Sequence, residues 1–229
     1  MSASGKGTPG RRHVPSEAEI LDAALALLDA GGPHAVTIRG TAAALGAAPS
    51  AVYTYFADKA ALERALVELL LDLPEKITAD DWRSEVEQLA LELRRRLVAH
   101  PGAVPLLIGG PLEGPGPLRL GERLLALLAE GGLDPAAAAR GSYAVMVFVL
   151  GAIALEVADV PGPGALPPET ERVDARRAAL SEVPVDAYPR TASAAGVMAT
   201  WVGTEQFRWG LQRLLDGLSP HAAPSHEPK

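Results

Sequence analysis

The sequence predicts an all-α fold: an N-terminal three-helix unit containing a helix-turn-helix, followed by a C-terminal helical bundle. Composition is the first reason. Hydrophobic residues make up 48% of the 229 but aromatics only 4%, so the apolar content is mostly Ala and Leu, the strongest helix formers. Periodicity is the second, since apolar residues recur at i, i+3 or i+4 and i+7 along most of the chain. The third is punctuation: Gly and Pro fall between the periodic stretches, and runs of Val, Ile and Thr suited to strands are missing.

Residues 1–15 are rich in Gly, Ser and Pro and read as a flexible arm. Ser16 is the expected N-cap of the first helix, with Glu17 and Glu19 in its first turn and Gly31-Gly32 at its end. Ile20, Leu21, Ala24, Leu27 and Leu28 form its apolar stripe. Thr37 caps a second helix carrying Ile38, Ala42 and Leu45, and Gly46 supplies a turn. Pro49 pre-sets the first turn of a third helix, with Val52 and Phe56 inward. Asp58 caps a fourth, with Leu62, Leu66, Leu69 and Leu73 inward. A hinge is expected over Pro74 to Asp81, then a long helix from Trp82 to His100, stopped by Pro101-Gly102. Gly109 to Pro117 reads as a loop, and Leu118–Glu130 and Pro135–Ala158 as two helices. ETERVDARRAAL suggests a short exposed helix, and one last helix runs from Thr191 or Gly196 to Leu218. The domains are therefore 1–15 arm, 16–75 head, 76–218 bundle and 219–229 disordered tail.

Charge is distributed unevenly. The net charge is −7, yet the first 60 residues carry five basic and five acidic side chains, so the whole negative excess lies downstream. Lys6, Arg11 and Arg12 form a basic arm without an acid, placed to reach phosphates. The absence of cysteine excludes disulfides, thiolate metal sites and cysteine nucleophiles. The opening stretch has no apolar core and does not read as a signal peptide. The longest uncharged apolar run, Ala144 to Leu155, is shorter than the ~18–20 residues of a membrane span, and a buried helix explains it. A cytoplasmic protein without a membrane partner is expected.

The informative stretch is Thr37 to Lys59, TIRGTAAALGAAPSAVYTYFADK. Two short helices around a Gly turn have the length of a helix-turn-helix. At ~100° per residue, Val52 and Phe56 share the buried face of the third helix, with Ser50 and Thr54 opposite it. Tyr53 and Tyr55 fall on the two flanks. Their rings can pack on the helix while both hydroxyls reach the phosphate strands lining a major groove, with Ser50, Ala51 and Thr54 presented to base edges.

Residues 16–66 resemble the DNA-binding domain of the TetR family of bacterial repressors. The marks are ALALLDAGG, Thr37 followed by Arg39, Ala42 with Leu45-Gly46, and Val52-Tyr53-x-Tyr55-Phe56 followed by Lys59 and Leu62. The resemblance implies that Arg39, Ser50, Ala51 and Thr54 approach bases, and that Thr37, Tyr53, Tyr55 and Lys59 hold phosphates, with Pro49 opening the recognition helix. Thr41 stands where the family has a larger aliphatic, and Ala48 where it has a Ser or Thr cap. Residues 80–218 are similar to the ligand-binding and dimerisation domain of tetracycline-repressor-like members, through LVAHPG, GPGPLRLGERLLALLAEGGL, Gly141-Ser142-Tyr143 and FRWGLQRLLDGL.

The expectation is a homodimeric repressor on a palindromic double-stranded operator, released by a small-molecule effector. Its seam would use Pro135–Ala158 and the Leu211 and Leu214 stripe of the last helix. Trp82, His100, Tyr143, Met146 and Trp201 are the candidate ligand-binding residues. Core packing is the competing reading for the other four, and for His100 a bond to the carbonyls ending its helix. The alternatives are a regulator that activates or has no effector, and a helical enzyme with an incidental helix-turn-helix. No His-x-x-x-His pair, Gly-x-Ser-x-Gly elbow or carboxylate cluster supports an enzyme. No cofactor or metal is implied.

Overall fold

The first helix of the computed structural model, α1 (Glu17–Gly31), begins with a reciprocal cap: the Ser16 hydroxyl accepts from the Glu19 amide, and the Glu19 carboxylate accepts from the Ser16 amide. The structure describes residues 14–74, 77, 79–109, 113–160, 162 and 164–218. The basic arm through His13, the tail after Leu218 and three positions of the expected hinge (75, 76 and 78) lie outside these.

Thr37 caps α2 (Ile38–Ala44) by accepting from the Gly40 amide at 2.9 Å. Gly46, at φ +62°, then reverses the chain into α3 (Pro49–Tyr53), which has no side-chain cap because Ala48 occupies the position. Asp58 caps α4 (Lys59–Leu71), accepting from the Ala61 amide at 2.7 Å. Ile20, Ala24, Leu28, Val36, Val52, Phe56, Leu62 and Leu66 close a core among these four helices. Further along α4 the buried positions are Leu70 and Leu71, while Leu69, expected inward, is exposed. The buried stripe moves because the end of α4 leaves the head and packs against the bundle.

That bundle comprises α5 (Trp82–Ala99), a 3-10 turn at Pro101–Ala103, α6 (Val104–Gly109), α7 (Pro115–Glu130), α8 (Pro135–Ala158), α9 (Glu169–Ser181), α10 (Pro189–Met198) and α11 (Thr204–Leu218). Buried side chains form a continuous cluster from Ile20 in α1 to Leu215 in α11. Two features depart from the sequence reading. The six-residue α6 was not expected, being too short to show a period. The single last helix is two, broken at Ala199–Gly203, because the Glu169 carboxylate on α9 accepts from both the amide (2.9 Å) and hydroxyl (2.7 Å) of Thr204 and so caps a new helix there.

Thr41 sits fully buried in the head, and its hydroxyl has no hydrogen-bond partner. An unpaired buried hydroxyl is costly and valine has the same shape, so Thr41→Val is expected to raise stability by ~1 kcal/mol in urea unfolding. An unchanged or lower stability would show that the hydroxyl is satisfied.

The Glu92 carboxylate on α5 accepts from Arg95 (2.8 and 2.7 Å) and Arg96 (2.8 Å). The Arg95 bond chiefly, with Arg96 and against partial desolvation, lowers its pKa from the ordinary 4.5 to about 2. A depressed carboxylate contributes stability at pH above its unfolded pKa and loses it on acidification. Unfolding measured against pH should therefore show wild-type stability falling as the pH drops from about 4.5 to about 2, with a shallower fall in Glu92→Gln.

Candidate nucleic-acid interface and interior cavity

Helix α3 is anchored from beneath by Val52 (0% exposed) and Phe56 (5%), while Tyr53 (54%) and Tyr55 (42%) stand in solvent beside them. Pro49, Ser50 and Thr54 are also exposed, and Ala51 is half-buried. The Thr54 hydroxyl donates to the Ser50 carbonyl at 3.0 Å, leaving its oxygen lone pairs and methyl group outward. Arg39 is exposed on the neighbouring α2 and Thr37 at its start. Lys59 is placed differently from the outward cation of the sequence reading. Its ammonium donates to the Pro33 carbonyl at 2.6 Å and lies 3.4 Å from Glu63, tying the start of α4 to the α1–α2 turn.

The head meets the bundle at two places. At the end of α1, Gly102 approaches so closely that a Cβ there would lie 2.0 Å from the Leu28 carbonyl oxygen. Beside it the His100 ring nitrogen Nδ1 pairs with the Asp29 carboxylate at 2.8 Å, and the Gly164 amide donates to the Asp29 carbonyl at 3.0 Å. At α4, the Glu68 carboxylate accepts from the Gly116 amide at 2.6 Å, capping the start of α7. Arg96 donates to the Leu69 and Leu70 carbonyls at 3.3 and 3.4 Å, capping the end of α4.

Between these helices lies a partly open cavity of about 100 Å³. Leu71 and Leu73 line it from the end of α4, Leu89 and Leu93 from α5, and Leu107 from α6. Leu120 and Leu124 of α7 face Met146 and Val149 of α8. Of the five candidate ligand residues, Met146 lines this cavity and the other four do not. Trp82 lies under Arg83 and against Gly131, at the far end of α5. His100 serves the joint with α1. Tyr143 (70% exposed) and Trp201 (49%) face outward.

At ~100° per residue, Val145, Met146, Val149 and Leu150 share an arc of about 140° on α8 facing the cavity. Tyr143, Val147, Gly151 and Leu155 lie on the arc opposite and are exposed. The helix expected to be buried is thus buried on its inner side only; by length and composition alone it is long and apolar enough to cross a membrane. Leu211, expected at a seam between chains, is fully buried against this chain's own core, as is Leu215. The outward residues of α11 include Trp209, Gln212 and Arg213.

A buried ionic network joins four of the bundle helices. Arg94 (α5) grips Glu156 (α8) through two bonds of 2.7 and 2.6 Å, and also bonds Glu169 (α9) and Thr204 (α11). Arg172 adds a 2.8 Å bond to Glu156 and donates to the Pro167 and Val202 carbonyls. Burial pushes the Glu169 carboxyl up, but the Thr204 hydroxyl and amide, together with Arg94, outweigh it and hold the pKa below its ordinary value. The sequence signal for this network was Glu156, the single carboxylate of the mostly apolar α8. Among the described residues no group of three or more His, Asp or Glu side chains is placed to hold a metal ion.

A three-helix head with an exposed short third helix, joined through α4 to an all-helical bundle, is matched by family models at both ends. The model of bacterial regulatory proteins of the tetR family covers residues 20–66, and that of the tetracyclin repressor-like C-terminal domain covers residues 73–221. The chain belongs to the tetR family. Among relatives of this tetR-family chain, an HTH-type transcriptional regulator of Saccharopolyspora erythraea is 31% identical over 60% of the chain. The match spans 59% of that regulator's own length. The class A tetracycline repressor of transposon 1721 from Escherichia coli is 27% identical over 87% of the chain and 88% of its own length. The crystal structure of a possible TetR family transcriptional regulator from Streptomyces coelicolor A3(2) superposes with a TM-score of 0.70 at 32% identity. It covers 89% of this chain and 98% of its own.

Proposed function

We propose that this tetR-family chain is a cytoplasmic transcriptional repressor that binds a palindromic double-stranded operator as a homodimer and is released by a small molecule. The observation that carries the reading is α3 itself, a helix seated on buried Val52 and Phe56 that leaves Ser50, Thr54, Tyr53 and Tyr55 at the surface. Residues 16–75 act as the DNA-binding unit and 76–218 as the ligand-binding and dimerisation unit. Arg39, Ser50, Ala51 and Thr54 face bases, and Thr37, Tyr53, Tyr55 and Lys59 hold phosphates, Lys59 by exchanging its Pro33 bond for one to the backbone. Pairing of the outer faces of α8 and α11 about a two-fold axis sets the two heads for half-sites ~34–36 Å apart or somewhat more. The interior cavity is the effector site. It touches Leu71 and Leu73, so a ligand that spreads its walls moves the end of α4 and with it the head. In this reading the chain performs no catalysis.

The test is operator binding by variants of the groove face. Thr54→Ala should change preference at one or two base positions, by ~1–3 kcal/mol for a good base contact. Tyr53→Phe should weaken all sequences about equally, since phosphate contacts carry no sequence information. Unchanged affinity of Tyr53→Phe on every site would remove the phosphate role from its hydroxyl.

A further inference from the structure

We infer that the effector is an uncharged, hydrocarbon-rich molecule, and that a metal-chelated polar ligand of the tetracycline kind is excluded from the cavity. The inference rests on the reading of that cavity as the effector site. Every described side chain lining it is apolar and uncharged, so any polar surface it offers is backbone or the weakly accepting Met146 sulfur. A ligand's polar groups would lose their water there and find few partners, which is a penalty for a hydroxyl and prohibitive for a carboxylate or a chelated cation. The described residues also offer no cluster of three or more metal-ligating side chains. Apolar cavities of this order, ~150 Å³ in one engineered case, stay dry and take up benzene or xenon.

The mouth favours the same class. Leu71, Leu73, Leu89 and Leu120 also line a neighbouring cleft of about 340 Å³ bordered by Asp72, Arg119 and Arg123. Arg123 is engaged by Glu85 and by the Pro74 carbonyl, and Arg119 lies 3.7 Å from Glu68. Both arginines thus have carboxylates beside them that offset their charge, while the buried Arg123 Nη2 has no hydrogen-bond partner and can donate to a neutral acceptor oxygen. A longer ligand keeps its hydrocarbon part inside and places a neutral polar end in this cleft.

The experiment titrates the full-length protein with toluene and 1-hexanol as neutral probes, hexanoate as the charged counterpart of the same chain length, and tetracycline with Mg²⁺. Melting temperature and calorimetry report binding, and operator retention is read separately. The neutral probes should give a saturable rise in melting temperature, with hexanoate at least tenfold weaker and tetracycline–Mg²⁺ without effect. Ala90 of α5 also lines the cavity. Ala90→Leu, which extends a side chain into the space, should abolish the neutral-probe shift, and Ala90→Val, a smaller intrusion should the first variant fold poorly, should reduce it. Tight binding of hexanoate or of tetracycline–Mg²⁺, or neutral binding untouched by both Ala90 variants, overturns the inference. Neutral binding that leaves the operator complex intact upholds the cavity's chemistry and overturns its role as the effector site. Operator release by charged compounds alone does the reverse.

Discussion

Glu156→Ala should lower the free energy of unfolding by roughly 3–5 kcal/mol, the range for removing one partner of a buried ion pair. Glu156 is 3% exposed and is bonded by both Arg94 and Arg172, themselves 7% and 6% exposed. Removing the carboxylate strands two guanidinium groups in a region with little water to receive them, and Glu169 reaches only Arg94. Glu156→Gln keeps an acceptor oxygen and should lose less. Urea unfolding of the three proteins at neutral pH measures the difference. A loss below ~1 kcal/mol for the alanine variant, the range for an exposed pair, would mean that water reaches the network.

The second large effect concerns assembly. Val147→Asp combined with Leu155→Asp should give a folded monomer by light scattering and weaken operator binding by roughly a hundredfold or more, because two linked heads on two half-sites gain through effective concentration. Both side chains are more than half exposed on the outer arc of α8, so the fold within one chain does not depend on them. Leu211→Asp is the contrasting variant. It places a charge at a fully buried position and should unfold the protein instead of dissociating it. If the α8 double variant remained a dimer with full affinity, the partner would dock on some other face.

Where strong local chemistry sets an element, the sequence read correctly. Ser16, Thr37 and Asp58 cap the helices they were expected to open, and His100 before Pro101 ends the long one. The seating of α3 on Val52 and Phe56 was legible for the same reason, since one short amphipathic helix has a single possible buried face. Legibility failed where a distant residue decides. The break before Thr204 is made by Glu169, thirty-five positions away, which no window over the last helix can register. Helix α8 is apolar around most of its girth, so nothing local distinguishes the arc of Met146, which turns toward the cavity, from that of Tyr143, which turns out. The Leu211 stripe was read correctly as apolar and assigned to the wrong neighbour, because a period shows that a face is covered but not by which chain.

The contact at Gly102 also limits how the head can move. Two backbones that meet without a side chain between them cannot slide or separate without opening a gap, so the end of α1 acts as a fulcrum. The other attachment, α4, is held at its far end by hydrogen bonds and by leucines that also form a cavity wall. A rigid body fixed at one point and pushed at another turns about the first. In the proposed mechanism, widening the cavity wall would therefore rotate the head instead of translating it. The sweep is greatest at the parts farthest from the fulcrum, so the same small displacement at Leu71 yields a shift at α3 set by the ratio of two lever arms. A residue larger than glycine at position 102 would move that fulcrum, altering the geometry of the response without touching either the DNA face or the cavity.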